Sequence, residues 1–342
     1  MLNRELQAEL KGKGSMVRKP AKRLPNPPRV LLSFQDVTYT VKKTKKQILK
    51  GVTGWFAPGT LTAILGTSGC GKTTLLNVLA DQVGDAAETT GEIYVNAQQK
   101  SNNYRRLCAY VLQTDTFLES LTVRETLWFT AEFRLEDSVS QANKIKVINQ
   151  TLLDLDLDQV ADRKISVLSG GQKRRVTVAI ELIARPSLIF LDEPTTGLDA
   201  SGTLKLVTVL RNLANQGRTI ICTIHQPRID AFNLFHMVLL MNSGQSLYFG
   251  PVSEVIDYFY STKMVSLVNQ KDIRNNNEET EPINPADFVL DLTHSSLEEV
   301  EYLTKYYQES SLSKSIFETC SELHQQRFQP EDFFGFTERK EW

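Results

Sequence analysis

Three short segments of this chain carry residues whose types and spacing suit phosphate chemistry. The first is Gly66-Thr67-Ser68-Gly69-Cys70-Gly71-Lys72-Thr73-Thr74. It fits the pattern G-x-x-x-x-G-K-[ST] and lies between an apolar strand pattern and the start of a helix, as a phosphate-binding loop requires. Its glycines let backbone N–H groups face a phosphate, and the positive end of the following helix attracts the same anion. Lys72 is expected at the β- and γ-phosphates of a nucleotide and the Thr73 hydroxyl at Mg²⁺.

The second segment pairs two carboxylates at the end of a buried strand. Residues 188–191 are apolar, and Asp192 and Glu193 follow them directly. Ligands bind at the carboxyl ends of strands in open α/β sheets. Asp192 suits the outer shell of Mg²⁺, and Glu193 suits a general base that takes a proton from an attacking water. The alternative is an ordinary acidic turn after a strand, which the phosphate-binding loop makes less favoured.

The third segment is Leu168-Ser169-Gly170-Gly171-Gln172. Its glycines open a helix whose first N–H groups are available to a phosphate. The alternative is a helix capped by Ser169 that binds no ligand.

These segments need a scaffold, and the pattern along the chain indicates one. Strands are predicted at 32–41, 61–65, 91–95, 107–112, 187–191 and 219–223, and helices from 73, over 122–160, near 173–185 and over 201–215. Strands that alternate with helices favour a parallel sheet covered on both faces.

Composition argues against several classes of protein, namely nucleic-acid-binding, disulfide-bonded and membrane-spanning ones. The formal net charge is -1, which gives no reason to expect a nucleic-acid partner. The four cysteines are scattered, so they are expected to be reduced thiols in a cytosolic protein. No apolar run approaches the roughly 18 residues that span a bilayer, and no signal peptide is recognisable. We therefore expect that this polypeptide does not cross a membrane by itself.

Two segments have the composition of loops. Residues 1–29 carry eight basic residues against two glutamates, a balance of +6. They are expected to form a disordered arm, and attraction to anionic lipid headgroups is the alternative. The polar stretch 265–284 is expected to be a mobile loop.

The order of a phosphate-binding loop, LSGGQ and a strand ending in Asp-Glu resembles an ABC ATPase. The resemblance implies that Gln113 contacts Mg²⁺ and senses a transmembrane partner, that Asp199 lies across a dimer interface, and that His225 is the switch histidine near the γ-phosphate. It also implies that Ser169, Gly170, Gly171 and Gln172 contact ATP held by a second cassette.

Further segments resemble the G subfamily, of the White and pleiotropic-drug-resistance type. They are residues 54–63, 222–227, 247–251 and 284–291. Many ABC ATPases stack adenine on an aromatic residue after the first strand, but here that position falls on Val41, with Tyr39 two residues before it. We therefore expect weak selectivity for the nucleotide base.

Together these features predict an α/β P-loop NTPase of the ABC nucleotide-binding type, with a RecA-like core, an antiparallel β-subdomain and a helical subdomain at about 115–172. The predicted domains are the arm at 1–29, the ATP-binding domain at 30–262, and a partly disordered extension at 263–342 towards a membrane domain absent from this chain. The expected cofactors are ATP and Mg²⁺.

The predicted function is hydrolysis of ATP to power transport of a lipid, sterol or xenobiotic, at the cytosolic face of a membrane. The expected partners are a second ABC cassette, identical or not, and a transmembrane domain. The main alternative is a soluble ABC ATPase without a membrane partner. A regulator that binds ATP without turnover is a further alternative, which the presence of Glu193 and His225 disfavours.

Overall fold

The structure is a computed structural model that describes residues 24–101, 104–113, 117–262, 288–289, 291–292 and 297–325. The arm predicted at 1–29, except its last residues, and the loop predicted at 265–284 lie outside these residues, as does most of the motif at 284–291. The described residues form two compact units. One takes in 24–26 and 117–185, and the other 27–113 and 186–325.

The larger unit is built on two sheets. Its strands are β1 (Leu32–Val41), β2 (Gln47–Phe56), β3 (Leu61–Gly66), β4 (Ala87–Val95), β5 (Gln98–Gln99), β6 (Cys108–Val111), β7 (Leu188–Leu191), β8 (Thr219–Thr223), β9 (Met237–Asn242) and β10 (Gln245–Pro251). One sheet has the order β10-β9-β3-β8-β7-β6 and the other β2-β1-β4-β5.

The six-stranded sheet positions the chemistry-bearing segments. Neighbouring strands from β9 to β6 run parallel, whereas β10 pairs antiparallel with β9. All residues of β3, β7 and β8 are buried, as expected for strands covered on both faces. The predicted parallel sheet is confirmed, with one antiparallel strand added at its edge.

The four-stranded sheet is antiparallel throughout. Its β1 matches the predicted strand at 32–41, and it interrupts its pairing at Asp36, which has a φ of 51°. Such a bulge increases the local twist of a sheet.

The helices are α1 (Lys72–Leu79), α2 (Tyr104–Leu107), α3 (Val123–Arg134), α4 (Gln141–Asp154), α5 (Gly170–Leu182), α6 (Ala200–Asn215), α7 (Ile229–Phe232), α8 (Val255–Ser261), α9 (Leu297–Glu309) and α10 (Ser311–Gln325). None of the helices in the described part of the chain is long and apolar enough to cross a membrane.

The smaller unit contains α3, α4 and α5. Thr122 and Glu125 form a capping box at the start of α3, and Arg134 at its other end makes two hydrogen bonds of 2.6 Å to Glu181 of α5. The helical stretch predicted at 122–160 is therefore two helices, α3 and α4, separated at 135–140. Because α5 packs against both, this unit continues to 185, past the predicted end of the helical subdomain at 172.

The last two helices pack on different sheets. α10 contacts β1 and β2, and α9 contacts β10. Tyr307, Ile316, Cys320 and Leu323 are buried in the same core as the sheet residues. Within the extension predicted at 263–342, this described part is therefore ordered by apolar burial, which contributes about 25 cal/mol per Å².

Candidate nucleotide-binding and hydrolysis site

The loop between β3 and α1 has the geometry that a phosphate cradle needs. Gly66 has a φ of 150°, and a Cβ there would lie 2.1 Å from the Met241 carbonyl oxygen. Gly71 has a φ of 108° and directly precedes α1. Only glycine fits both positions without strain, so the backbone of this loop can turn its N–H groups towards a ligand.

Lys72 is held against the loop. Its Nζ donates to the carbonyl oxygens of Gly66 at 2.8 Å and Thr67 at 2.9 Å, and the residue is 6% exposed. The ammonium group therefore lies within the predicted phosphate-binding loop, with its charge largely shielded from water.

Asp192 joins this loop to the neighbouring strands. It follows β7 and is buried, and its Oδ1 accepts hydrogen bonds from Thr73 Oγ1 at 3.0 Å and Thr223 Oγ1 at 2.8 Å. The sheet order places β8 between β3 and β7, so Thr223 lies between the strands that lead to the other two residues.

Glu193 adopts a strained backbone conformation. Its φ is 44°, in the left-handed region, which costs a residue with a side chain about 1–2 kcal/mol. Its backbone N–H donates to Thr223 Oγ1 at 2.8 Å. Its Oε2 accepts from Gln113 Nε2 at 3.0 Å and from Thr196 Oγ1 at 3.1 Å. The carboxylate predicted to be the general base is therefore oriented at both the backbone and the side chain.

The oxygen atoms here fit a hard divalent cation. The described residues contain no group of three or more His, Cys, Asp and Glu side chains that could hold a metal. Mg²⁺, however, keeps several waters and binds through one or two protein oxygens plus substrate phosphates. The Thr73 hydroxyl and the Asp192 carboxylate provide two such oxygens 3.0 Å apart, and the Gln113 amide lies beside Glu193.

His225 and Asp199 flank the same edge of the sheet. A cavity of about 420 Å³ is lined by Glu193, Thr195, Thr196, Gly197, Leu198, Ala200, Thr203, His225, Gln226, Pro227 and Arg228. His225 is exposed there. Asp199 caps α6, since its side chain accepts a hydrogen bond from Gly202 N at 3.1 Å. His225 thus shares this cavity with the candidate base Glu193.

The LSGGQ segment lies in the smaller unit and begins α5. Ser169 Oγ accepts from Gln172 N at 3.3 Å, and Gln172 Oε1 accepts from Ser169 N at 3.0 Å, so the two form a capping box. Ser169 and Gly170 are exposed. The cap by Ser169, which the sequence offered as the alternative, is therefore present. The start of α5 is nevertheless exposed and accessible to a ligand.

Comparison with known proteins agrees with this arrangement. The family model described as "ABC transporter" matches residues 49–196. The protein named "ABC transporter G family member 1" of Dictyostelium discoideum is 39% identical over 287 residues, which cover 79% of this chain and 34% of that protein. "ABC transporter G family member 42" of Arabidopsis thaliana is 38% identical over 299 residues, covering 82% of this chain and 20% of that protein.

This chain belongs to the ABC transporter family as an ATP-binding domain of the G-family type. A further relative, "ABC transporter G family member 1" of Petunia hybrida, is 41% identical over 238 residues, covering 67% of this chain and 37% of that protein. The chain thus spans between a fifth and two fifths of the length of these relatives. The predicted P-loop NTPase fold and family are confirmed, and the family implies that the domain binds and hydrolyses ATP.

The structure brings most predicted site residues of this ABC domain together and adds two others. Direct hydrogen bonds join Gln113 to Glu193 and Thr73 to Asp192. The Thr223 hydroxyl bonds both Asp192 and Glu193, so it links the two pairs. The added residues are Thr223 and Thr196. Thr223 lies in the Cys222–Pro227 motif, but its spacing there does not reveal that it bonds Asp192 and Glu193, because those partners are about 30 residues away.

Proposed function

We propose that this domain binds MgATP, hydrolyses it to ADP and phosphate, and thereby powers transport of a substrate across a membrane. The proposal rests most on one observation. At the carboxyl edge of the parallel sheet, the predicted phosphate-binding loop meets the carboxylates of Asp192 and Glu193. Thr73 Oγ1 of this loop region lies 3.0 Å from Asp192 Oδ1. The proposed site comprises the residues named from the sequence, with the roles set out there.

The loop residues 66–74 would hold the phosphates of the nucleotide. Backbone N–H groups of the loop and the N-terminus of α1 attract the anion. Lys72 would exchange its bonds to Gly66 O and Thr67 O for bonds to β- and γ-phosphate oxygens. This exchange keeps an ammonium donor paired throughout, so it avoids leaving a buried charge without a partner.

Thr73, Asp192 and Gln113 are the proposed protein groups for Mg²⁺. When bound, the ion supplies neutralisation of the negative charge on the phosphate oxygens. The Thr73 hydroxyl and Gln113 amide would face the ion directly, and Asp192 would act through its outer shell. The bond between Thr73 and Asp192 holds these two oxygens on one side of the loop.

Glu193 is the proposed general base. Its carboxylate would accept a proton from the water that attacks the γ-phosphate. Its hydrogen bonds to Gln113 and Thr196 orient Oε2. The bond from its backbone N–H to Thr223 restrains the backbone from which the side chain extends. His225, which shares the cavity with Glu193, would contact the γ-phosphate.

We propose that two cassettes, identical or not, face each other head to tail. In this arrangement the exposed start of α5 in one subunit, with Ser169, Gly170, Gly171 and Gln172, closes on ATP held by the loop of the other, and Asp199 lies across the interface. Closure and opening would move a transmembrane domain at the cytosolic face of the membrane. The names of the relatives support a transporter, and the proposed cargo class is a lipid, sterol or xenobiotic.

Phosphate release from ATP by the full chain tests the enzymatic part of the proposal. Wild-type protein should release phosphate, and Glu193→Gln should lower the rate by about 10²- to 10⁴-fold while still binding MgATP, because it keeps the side-chain shape but removes the base. Glu322→Gln, on an exposed position of α10, is the matched control and should act as wild type. Wild-type turnover in Glu193→Gln would show that another group is the base.

Fractionation of native cells tests the transport part. The polypeptide that contains this sequence should sediment with membranes and be released by detergent. Recovery in the supernatant without detergent would favour the alternative, an ABC ATPase that works without a membrane partner.

A further inference from the structure

We infer that the Thr223 hydroxyl is a positioning residue that ties the cation side of the site to the general base. The inference rests on the proposed function and goes beyond the residues assigned there. It is carried by two hydrogen bonds, one to Asp192 and one to Glu193, that a single buried hydroxyl makes at once.

The Thr223 hydroxyl acts as a donor to one site residue and as an acceptor from the other. Thr223 Oγ1 donates its one hydrogen to Asp192 Oδ1 at 2.8 Å, and it accepts the backbone N–H of Glu193 at 2.8 Å. A hydroxyl has one donor and two acceptor lone pairs. The direction of both bonds is therefore determined, because an N–H cannot accept and the carboxylate oxygen of Asp192 is the acceptor for the hydrogen.

The location of Thr223 makes these bonds persistent. The residue is 0% exposed, at the carboxyl end of β8, and β8 lies between β3 and β7. Water cannot replace either bond there, and hydrogen bonds are stronger in the low dielectric of the interior. The hydroxyl thus joins the carboxyl end of β8 to the two acidic residues that directly follow β7.

The backbone conformation of Glu193 explains why these hydrogen bonds are needed. Its φ of 44° is unfavourable for a residue with a side chain and persists only where neighbouring groups hold it. The bond from Glu193 N to Thr223 is a direct restraint on that conformation. Without it, the backbone can relax towards the ordinary right-handed or extended regions, which would carry the Glu193 carboxylate away from the place where a base must stand.

The test compares two hydroxyl deletions on the same strand. Thr223→Val removes the bridging hydroxyl with little change in shape. Thr219→Val removes a hydroxyl that is equally buried at the other end of β8, where it donates to the Val30 carbonyl oxygen, far from the site. Thr223→Ser keeps the hydroxyl and loses only a methyl group. Thr223→Ala adds no atoms and serves if the valine variant does not fold.

Three measurements are made on the full chain: kcat and KM for ATP, the dissociation constant of ATP with and without Mg²⁺ by calorimetry, and the melting temperature. In Thr223→Val and Thr223→Ala we expect kcat to fall about 100-fold, the typical effect of a misplacement of about 1 Å. The dissociation constant of ATP without Mg²⁺ should change less than about threefold, since Lys72 and the loop are intact. The factor by which Mg²⁺ lowers that dissociation constant should become smaller than in wild type. Thr223→Ser should retain kcat within about threefold.

Thr219→Val decides between positioning and simple loss of stability. It should lower the melting temperature as much as Thr223→Val but keep kcat and the effect of Mg²⁺. Equal losses of kcat in the two valine variants, or wild-type kcat and Mg²⁺ effect in Thr223→Ala, would overturn the inference. The proposed function fails separately, if wild type itself does not hydrolyse ATP; the Mg²⁺ effect on ATP binding still tests Thr223 in that case.

Discussion

Gln113 Nε2 donates a hydrogen bond of 3.0 Å to Glu193 Oε2. The residue proposed to contact Mg²⁺ is thus in direct contact with the residue proposed to be the base, although 80 positions separate them in the chain. The same carboxylate oxygen also accepts from Thr196 Oγ1. One carboxylate oxygen therefore accepts from a proposed Mg²⁺ ligand, Gln113, and from a residue with no proposed contact to the ion, Thr196. Mutation of each donor separates loss of the ion contact from loss of a hydrogen bond to Glu193.

We predict that Gln113→Ala raises the Mg²⁺ concentration needed for half-maximal ATP hydrolysis by about tenfold, the loss of one ligand interaction of about 1.4 kcal/mol. Thr196→Val is the matched control, because it removes the other hydrogen bond to Glu193 Oε2 without removing a proposed Mg²⁺ ligand. It should leave the Mg²⁺ requirement unchanged. A Mg²⁺ titration of activity measures both, and an unchanged requirement in Gln113→Ala would remove this residue from the cation site.

Lys72→Ala should weaken ATP binding by about tenfold or more, because a hydrogen bond to a charged group contributes about 1.5–3 kcal/mol. Isothermal titration calorimetry measures the dissociation constant directly. Lys305→Ala, at an exposed position of α9, is the control for loss of one positive charge and should bind ATP as wild type does. Equal affinity of Lys72→Ala and wild type would count against the assigned phosphate-binding loop.

We predict little preference for ATP over GTP, less than about tenfold in dissociation constant. Val41 has no aromatic face, and Tyr39 is partly buried and packs against the hydrophobic core. Phosphate and Mg²⁺ contacts, which the two nucleotides share, would then dominate affinity. A preference of about a hundredfold or more would contradict this, and its loss in Tyr39→Ala would identify Tyr39 as the residue that reads the base.

Complementation tests whether the start of α5 serves its own site or that of the partner subunit. Lys72→Ala has a defective loop and an intact LSGGQ segment. Gly171→Asp has the opposite, since its carboxylate repels a phosphate. Each variant alone should be inactive. Mixed at concentrations where dimers form, they should recover part of the ATPase activity, because one of the two sites in the heterodimer then combines the intact halves.

The mixture has a specific control for the case in which both sites must work. A tethered dimer of one Lys72→Ala subunit and one wild-type subunit reports the activity of a single intact site. If that dimer is active, and cross-linking shows heterodimers in the mixture, the absence of any recovery would contradict the head-to-tail arrangement.

The stability of the domain should fall below pH 6.5. Burial, and next the charge of Arg211, lower the pKa of His236 from 6.5 to about 4. The neutral ring accepts a hydrogen bond from Leu61 N at Nδ1, at 3.0 Å. The unfolded chain takes up the proton first as pH falls, so the contribution of His236 is complete above pH 6.5 and is lost between pH 6.5 and about 4.

Melting temperatures between pH 7.5 and 4.5 measure this loss. His236→Asn offers a carbonyl oxygen to Leu61 N but does not titrate in this range, so its melting temperature should depend less on pH. Equal pH dependence in both proteins would assign the effect to other groups, such as His324, whose pKa burial also lowers.

Much of the site was predictable from short stretches of sequence, for a local reason. Residues 66–73 specify a turn and a helix start through their glycines, and residues 188–193 specify a buried strand that ends in two carboxylates. Both properties depend on neighbours within a few positions. The family resemblance then supplied expected roles for Gln113, Asp199 and His225, which chemistry alone does not assign from single residues.

Tertiary structure decided which of these segments meet. The order β3-β8-β7 brings Thr73 to Asp192 across 119 positions and places Thr223 between them. Thr223 stands in a motif at the carboxyl end of β8 and Thr219 at its other end, but neither local sequence shows which groups their hydroxyls bond. Only the strand order gives one of them two site partners and the other the Val30 carbonyl oxygen.

The same limit applies to the last two helices. Their sequence has apolar residues at helical spacing, but a helix of this length gains most of its stability from packing. For α10 that packing comes from β1 and β2, where Cys320 Sγ lies 3.4 Å from the carbonyl oxygen of Gly54, 266 positions earlier in the chain. For α9 it comes from β10. The sequence by itself determined the chemistry of each segment and its local conformation, whereas the partners of each segment depended on strand order and core packing, because those contacts join residues that are distant in the chain.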